Sequence, residues 1–169
     1  MKTALLVIDI QNLLVEEKPY AIEERLALWK DSITKARQAE IEVIHIRHSD
    51  QFLVKGTDDW EIYPLVAPLE GEKIFDKTFN SAFKETGLHA YLQEKEVKRL
   101  IIMGMATNFC IDTTVKVAFE LGYKVAVIQD GTTTGYSGQL DTKDLIDHYQ
   151  NIWSWNFAQV DTLENMLRG

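Results

Sequence analysis

The feature that most limits what this chain can become is an alternation of two kinds of segment. A short, unbroken apolar run stops on a polar residue or a glycine, and a stretch with apolar residues at helical spacing follows. The first run, Ala4-Leu5-Leu6-Val7-Ile8, stops on Asp9. Hydrophobicity that is continuous rather than alternating marks a strand covered on both faces. Ile22, Leu26, Trp29, Ile33 and Ala36 then recur at intervals of four and three, the stripe of a helix packed along one side. Further strands are expected over residues 42–46, 73–75, 100–103, 125–128 and 157–160. Further helices are expected over 88–94, over 110–121 with Gly122 as the stop, from a cap at Asp141 through Leu145, Ile146, Tyr149 and Ile152, and from Thr162 onward. Residues 49–72 are polar and aromatic, with Gly56, Pro64, Pro68 and Gly71. They read as a long loop with one helical turn, a length usually tied to function. Strands alternating with helices build an α/β protein, a mostly parallel sheet with helices on both faces. No repeat, linker or low-complexity tract interrupts the pattern, so residues 1–169 are expected to form one domain.

Charge and cysteine usage remove several functional classes. A formal net charge of −8, with lysines and arginines scattered, argues against a nucleic-acid partner, which needs a basic face. One cysteine, Cys110, rules out an internal disulfide and a multi-cysteine metal centre, and fits a reducing compartment. Lys2 followed by an apolar run faintly resembles a leader, but Asp9 ends that run after five residues. A leader core needs about 7–15 and a membrane span about 20. The expectation is a cytoplasmic protein with neither membrane nor nucleic acid as partner.

In an open α/β sheet, ligands bind beyond the carboxyl ends of the strands. The polar residues that follow each apolar run are therefore the candidates: Asp9, Gln11 and Asn12 after the first, His48 after the second and Lys77 after the third. Gly104-Met105-Ala106-Thr107-Asn108-Phe109-Cys110 follows the fourth and Asp130 the fifth. An acid, an amine and a thiol thus converge on one sheet edge, enough for nucleophilic catalysis. Cys110 at a helix start would meet free backbone N–H groups and the positive end of the macrodipole, which favour a thiolate, and a nearby Lys77 would add to this. The same N–H groups, with those of the preceding loop, are placed to receive an oxyanion. Asp9 would take the thiol proton, pass it to a leaving amine and then activate water. Each residue also has a plainer reading: Cys110 as a small buried hydrophobe, Asp9 as a turn cap, Lys77 as a surface charge. Their meeting at strand ends is what favours chemistry.

These residues are also where the chain resembles the isochorismatase-like cysteine hydrolases, a family that includes nicotinamidases, N-carbamoylsarcosine amidase and ureidoacrylate amidohydrolases. The likeness begins at Leu6-Val7-Ile8-Asp9-Ile10-Gln11-Asn12. It resumes at Gly56-Thr57, at Trp60-Glu61-Ile62, and at Lys77-Thr78-Phe79-Asn80-Ser81-Ala82-Phe83 with Thr86 and Leu88. It is strongest from Gly104 to Ile111, continued by Thr114, Ala118 and Gly122-Tyr123. The resemblance implies a three-layer αβα sandwich whose six parallel strands run in the order 3-2-1-4-5-6, and a catalytic triad of Asp9, Lys77 and Cys110. It further implies a cis peptide at Met105-Ala106, oxyanion donors at the N–H groups of Ala106 and Cys110, and assembly as a homodimer or homotetramer.

Departures from the family pattern narrow the chemistry. Nicotinamidases hold a divalent metal through an Asp-x-His pair after strand two, where this chain reads His45-Ile46-Arg47-His48-Ser49-Asp50. No metal or other cofactor is therefore expected, with His48 and Asp50 left open as a weak metal pair; His45 reads as structural. The isochorismatase branch cleaves a vinyl ether and lacks the cysteine, so Cys110 counts against it. What remains is a metal-independent amidase or ureido-hydrolase that cleaves a C–N bond of a small molecule through a thioester. Gln11, His48, Trp60, Phe79, Thr107 and Phe109 are the candidate pocket residues, each with packing as its alternative. The rival class is a non-catalytic flavodoxin-like or dinucleotide-binding module. Neither Gly-x-Gly-x-x-Gly nor a Walker loop is present, and Gly131-Thr132-Thr133-Thr134-Gly135 reads as a plain connection.

Overall fold

The computed structural model describes residues 1–168. Six strands, β1 (Thr3–Ile8), β2 (Glu42–His48), β3 (Lys73–Lys77), β4 (Arg99–Met105), β5 (Lys124–Thr133) and β6 (Gln159–Asp161), form one sheet. Their order is β3-β2-β1-β4-β5-β6 and every neighbouring pair is parallel. The helices are α1 (Asn12–Glu16), α2 (Ile22–Gln38), α3 (Leu88–Glu94), α4 (Asp112–Glu120), α5 (Thr142–Asn156) and α6 (Leu163–Arg168). Among the described residues no helix is long and apolar enough to cross a membrane.

The continuous apolar runs have the two-sided burial they predict, because alternate residues of each strand enter different cores. Leu6, Ile8, Ile44, Leu100, Ile102 and Val127 pack against Leu92 of α3, Val115 and Ala118 of α4, and Trp153 of α5. Leu5, Val7, Val43, Ile101, Met103 and Ala126 pack against Leu26, Trp29, Ile33 and Ala36 of α2 and Met166 of α6. Helices thus cover both faces, giving three layers. The Asp141 carboxylate caps α5 by accepting the Asp144 N–H at 3.1 Å, and Gly122 ends α4 with φ +89°.

Several strands run further than their apolar cores. β2 continues to His48 and β3 to Lys77, where the two are paired in register, so the polar end residues are rigid sheet positions and not loop. β5 continues beyond the end its sequence suggests near Asp130-Gly131, reaching Thr133 across an irregularity, after which Thr132 pairs with Gly104. Side chains of α2 hold that segment: Trp29 Nε1 donates to Gly131 O at 2.7 Å and Arg25 Nε to Thr132 O at 2.9 Å. The last strand lies at Gln159–Asp161, because Phe157 closes α5. The 49–72 loop contains two single turns of 3₁₀-helix, Asp58–Trp60 and Pro64–Val66, and α1 is a short helix that periodicity did not signal. At Gly104 (φ +127°) a Cβ would lie 2.1 Å from the Ile8 carbonyl oxygen, so β4 closes on β1 next to Asp9 only because that residue is glycine.

Candidate active site

Three separate strand ends deliver the acid, the amine and the thiol to one place. Asp9 follows β1 with its backbone in the left-handed region (φ +54°), and its N–H donates to Ile46 O at 3.0 Å. Lys77 is the last residue of β3. Cys110 lies in a π-turn (Thr107–Ile111) between β4 and α4. Lys77 Nζ is 3.0 Å from Asp9 Oδ2 and 3.1 Å from Cys110 Sγ. Lys77 and Asp9 are each only 2% exposed, whereas Cys110 retains 8%. The thiol is thus the accessible end of a buried ion pair.

The charges settle in a definite way. Burial opposes the Lys77 charge, but the Asp9 carboxylate, joined by Cys110 when the sulfur is ionised, outweighs it and holds the ammonium above its ordinary value. Burial, and next the Asp9 carboxylate, push the Cys110 thiol up to about 12, against the pull of Lys77. The resting group is therefore a protonated thiol beside a carboxylate–ammonium pair, not the preformed thiolate that a cysteine opening a helix would suggest. The helix begins two residues later, at Asp112, and desolvation exceeds what one ammonium returns. Attack needs an acceptor for the thiol proton, and Asp9 has one unspent: its Oδ1 is buried with no hydrogen-bond partner.

The peptide Met105-Ala106 is cis, at the positions the resemblance implied. Beyond it the N–H groups of Phe109 and Ile111 both donate to Ala106 O at 3.1 Å; those of Ala106 and Cys110 take no part in that closure. Thr107 is fully buried, with its hydroxyl 2.8 Å from the Thr132 hydroxyl, so it ties the nucleophile loop to β5 and does not line an open pocket. Gln11 is likewise structural. Its Nε2 donates to His48 O (2.9 Å) and Trp60 O (2.8 Å), and its Oε1 accepts the His48 N–H (2.9 Å), which spends the amide on fastening the long loop to β2. Trp60 is buried under that loop, with Nε1 donating to Ser49 Oγ at 2.9 Å and the Arg47 guanidinium 3.5 Å from the ring centroid. Phe79 and Phe109 are the open aromatics, about 36% and 43% exposed. Phe79, with Asn80, borders a groove of about 520 Å³ that Phe83, Val117 and Leu121 make apolar.

His48 sits inside the cluster, its Nδ1 2.9 Å from Lys77 Nζ and its Nε2 3.3 Å from Asp50 Oδ2. A carboxylate oxygen of Asp9, a ring nitrogen of His48 and the Cys110 sulfur lie within 4.8 Å of one another, a spacing that suits a metal ion. Lys77 Nζ, however, lies 2.9–3.1 Å from one such atom of each, so the protein's own ammonium supplies the positive charge at that point. Two contacts had no reading from sequence: Asn80 Oδ1, 3.8 Å from the sulfur, and Phe79 O, which accepts from Lys77 Nζ at 3.0 Å. Both lie in the Lys77–Phe83 motif, whose proximity to the lysine was the available signal.

A parallel sheet whose strand ends join an acid, an amine and a thiol has the parts of a hydrolase. The isochorismatase domain family matches residues 3–156. The isochorismatase family protein YddQ of Bacillus subtilis is 35% identical over 183 aligned positions, covering 99% of this chain and 100% of the relative. A ureidoacrylate amidohydrolase of Variovorax paradoxus is 28% identical over 118 positions, covering 70% of this chain and 45% of its own length. The crystal structure of an isochorismatase-like hydrolase from Alkaliphilus metalliredigens superposes with a TM-score of 0.88 at 28% identity, covering 99% of this chain and 97% of that one. This chain belongs to the isochorismatase family and is a hydrolase.

Proposed function

We propose that the protein is a cysteine hydrolase that cleaves an amide, carbamoyl or ureido C–N bond of a small molecule, with Cys110 as nucleophile, Asp9 as proton carrier and Lys77 as their electrostatic partner. The observation that carries the reading is the single buried ammonium held within 3.1 Å of both the Asp9 carboxylate and the Cys110 sulfur. As sulfur attacks the carbonyl carbon, the thiol proton passes to Asp9 and the S–C bond forms. The tetrahedral oxyanion is received by the N–H groups of Ala106 and Cys110. Collapse breaks the C–N bond, and Asp9 returns the proton to the departing nitrogen. Asp9 then deprotonates water, which displaces sulfur from the thioester or thiocarbamate, and Asp9 gives that proton to the released sulfur to restore the resting thiol. Lys77 keeps its charge throughout, steadying first the carboxylate and then the thiolate.

The ureidoacrylate amidohydrolase relative supports the choice of bond. The sulfur at the working position favours this reading over vinyl-ether cleavage. Against a nicotinamidase-type metal stands the engagement of the two candidate ligands: His48 faces Lys77 and Asp50, and Asp50 accepts the N–H groups of Phe52 and Leu53 at 2.7 and 2.8 Å. Assembly as a homodimer or homotetramer and residence in the cytoplasm belong to the same reading. Exposed Trp155, Phe52, Tyr136 and Leu140 offer apolar surface for the first, and a lone working thiol suits the second; light scattering after size exclusion decides the assembly. The test of function is ammonia or amine release from a panel of small primary amides, N-carbamoyl amino acids and ureido acids. Turnover by the wild type, lost in Cys110→Ala and in Asp9→Asn with both variants folded, is expected. An active Asp9→Asn enzyme removes Asp9 from the mechanism.

A further inference from the structure

An ammonium has three protons, yet Lys77 Nζ has four acceptors around it: His48 Nδ1 at 2.9 Å, Asp9 Oδ2 and Phe79 O at 3.0 Å, and Cys110 Sγ at 3.1 Å. While the sulfur keeps its own proton, the three N–H groups satisfy the carboxylate, the carbonyl and the imidazole. Once the sulfur is a thiolate, it needs one of them. Gln11 grips the His48 backbone at both its N–H and its C=O, and the ring is fixed between Lys77 and Asp50. Because an ammonium only donates, Nδ1 must be the accepting nitrogen. The proton then belongs on Nε2, which faces the Asp50 carboxylate at 3.3 Å.

We propose that His48, its tautomer set by the Lys77 ammonium on one side and the Asp50 carboxylate on the other, is a positioning residue: its neutral Nδ1 lone pair holds the Lys77 ammonium between Asp9 and Cys110 and yields one N–H to the sulfur when the thiolate forms. The proposal rests on the Asp9–Lys77–Cys110 reading above. Protonation of Nδ1 would replace the acceptor with a donor facing the ammonium and push Lys77 from its place. The ionisable groups facing the ring are Lys77 from β3, Asp9 from the end of β1, Asp50 from the loop after β2 and Cys110 from the π-turn. Burial first, and Lys77 second, keep the imidazole neutral against the two carboxylates, so its charging is displaced below the ordinary 6.5.

The test combines kinetics with a readout that needs no substrate. His48→Leu is expected to lower kcat about 10²-fold, the size of effect a misplaced catalytic group produces, with KM within a few-fold. It should also abolish the part of the acid limb of kcat/KM that lies below pH 6.5. His48→Asn, which restores an acceptor near the Nδ1 position, is expected to recover at least tenfold of that loss. Nitrogen-15 NMR of the intact wild-type protein, with the His48 signal assigned by its absence in His48→Leu, is expected to show Nε2–H and an unprotonated Nδ1 at neutral pH. Lys77→Met should release that preference. An unchanged kcat and acid limb in folded His48→Leu, or a proton found on Nδ1, overturns the proposal. If no C–N substrate is turned over, the reading of the reaction fails, and the NMR tautomer alone then decides whether His48 holds Lys77.

Discussion

The Asp9–Lys77 pair invites a double-mutant cycle, because its members are almost wholly inaccessible and 3.0 Å apart. At an effective dielectric constant of about 20, charges at that distance attract by 332/(20 × 3.0), about 5.5 kcal/mol. Much of this offsets the cost of drying both groups, so the net worth of the pair is small. The cost of breaking it is not, since truncating one partner strands the other charge. Lys77→Met leaves a buried carboxylate and Asp9→Asn leaves a buried ammonium without its counter-ion, and each is expected to lose about 3–5 kcal/mol. The double variant strands neither charge. It is expected to fall short of the summed losses by about 2–3 kcal/mol, the upper part of the range of about 0.5–3 kcal/mol found for groups in direct contact. Urea unfolding at pH 7, followed by tryptophan fluorescence and circular dichroism, supplies the four stabilities. A typical stability of about 5–15 kcal/mol leaves the single variants measurable. Losses that add to within about 0.5 kcal/mol would refute the claim that these charges depend on each other.

Other consequences follow from particular residues. A Cys110 thiol pushed up to about 12 should react slowly with iodoacetamide at pH 7 and reach no plateau by pH 9. Asp9→Asn, which removes one of the two influences raising it, should react faster while losing turnover; a wild-type plateau near neutral pH would contradict this. His45 is 1% exposed with Nε2 3.4 Å from Glu72 Oε2, and burial outweighs that carboxylate and lowers its protonation to about 4, so the unfolded chain takes that proton first as pH falls. The stability this residue contributes is complete above 6.5 and is lost between 6.5 and about 4, a total of about 3 kcal/mol at about 1.4 kcal/mol per pH unit. His45→Leu should therefore lose about 3 kcal/mol less between pH 7 and pH 4, and an equal loss would count against the assignment. Gly104→Ala should fail to yield soluble protein or melt far below the wild type, because its Cβ meets backbone at 2.1 Å; a normal melt would contradict the close approach of β4 to β1.

The arrangement of layers was legible because the runs at Ala4, Leu100 and Val125 are apolar without interruption, and the run at Val43 is broken only by the buried His45, a pattern that two-sided burial requires. Strand ends were less legible. His48 and Lys77 are polar, so a hydrophobic criterion stops before them, although parallel pairing carries both into the sheet. The path of β5 beyond Ile128 depends on Arg25 and Trp29 of α2, whose hydrogen bonds span more than a hundred residues of chain and leave no local pattern. At the site, the acid, amine and thiol were found because each follows a strand. Their protonation is not legible in the sequence, because it depends on burial and on where α4 starts. Gln11 and Thr107 read as pocket residues in the sequence because they are polar and near the site; their partners, His48, Trp60 and Thr132, are named only by the fold.

The central claim is that Cys110 forms a covalent bond to the substrate carbonyl. Acid-quenched intact-mass and peptide mass spectrometry during turnover of the best amide or ureido compound measures it directly. The account predicts an acyl or carbamoyl adduct on the peptide carrying Cys110, formed and lost at rates compatible with turnover and absent from Cys110→Ala. Undiminished hydrolysis by Cys110→Ala, or turnover with the label on another residue, would contradict it.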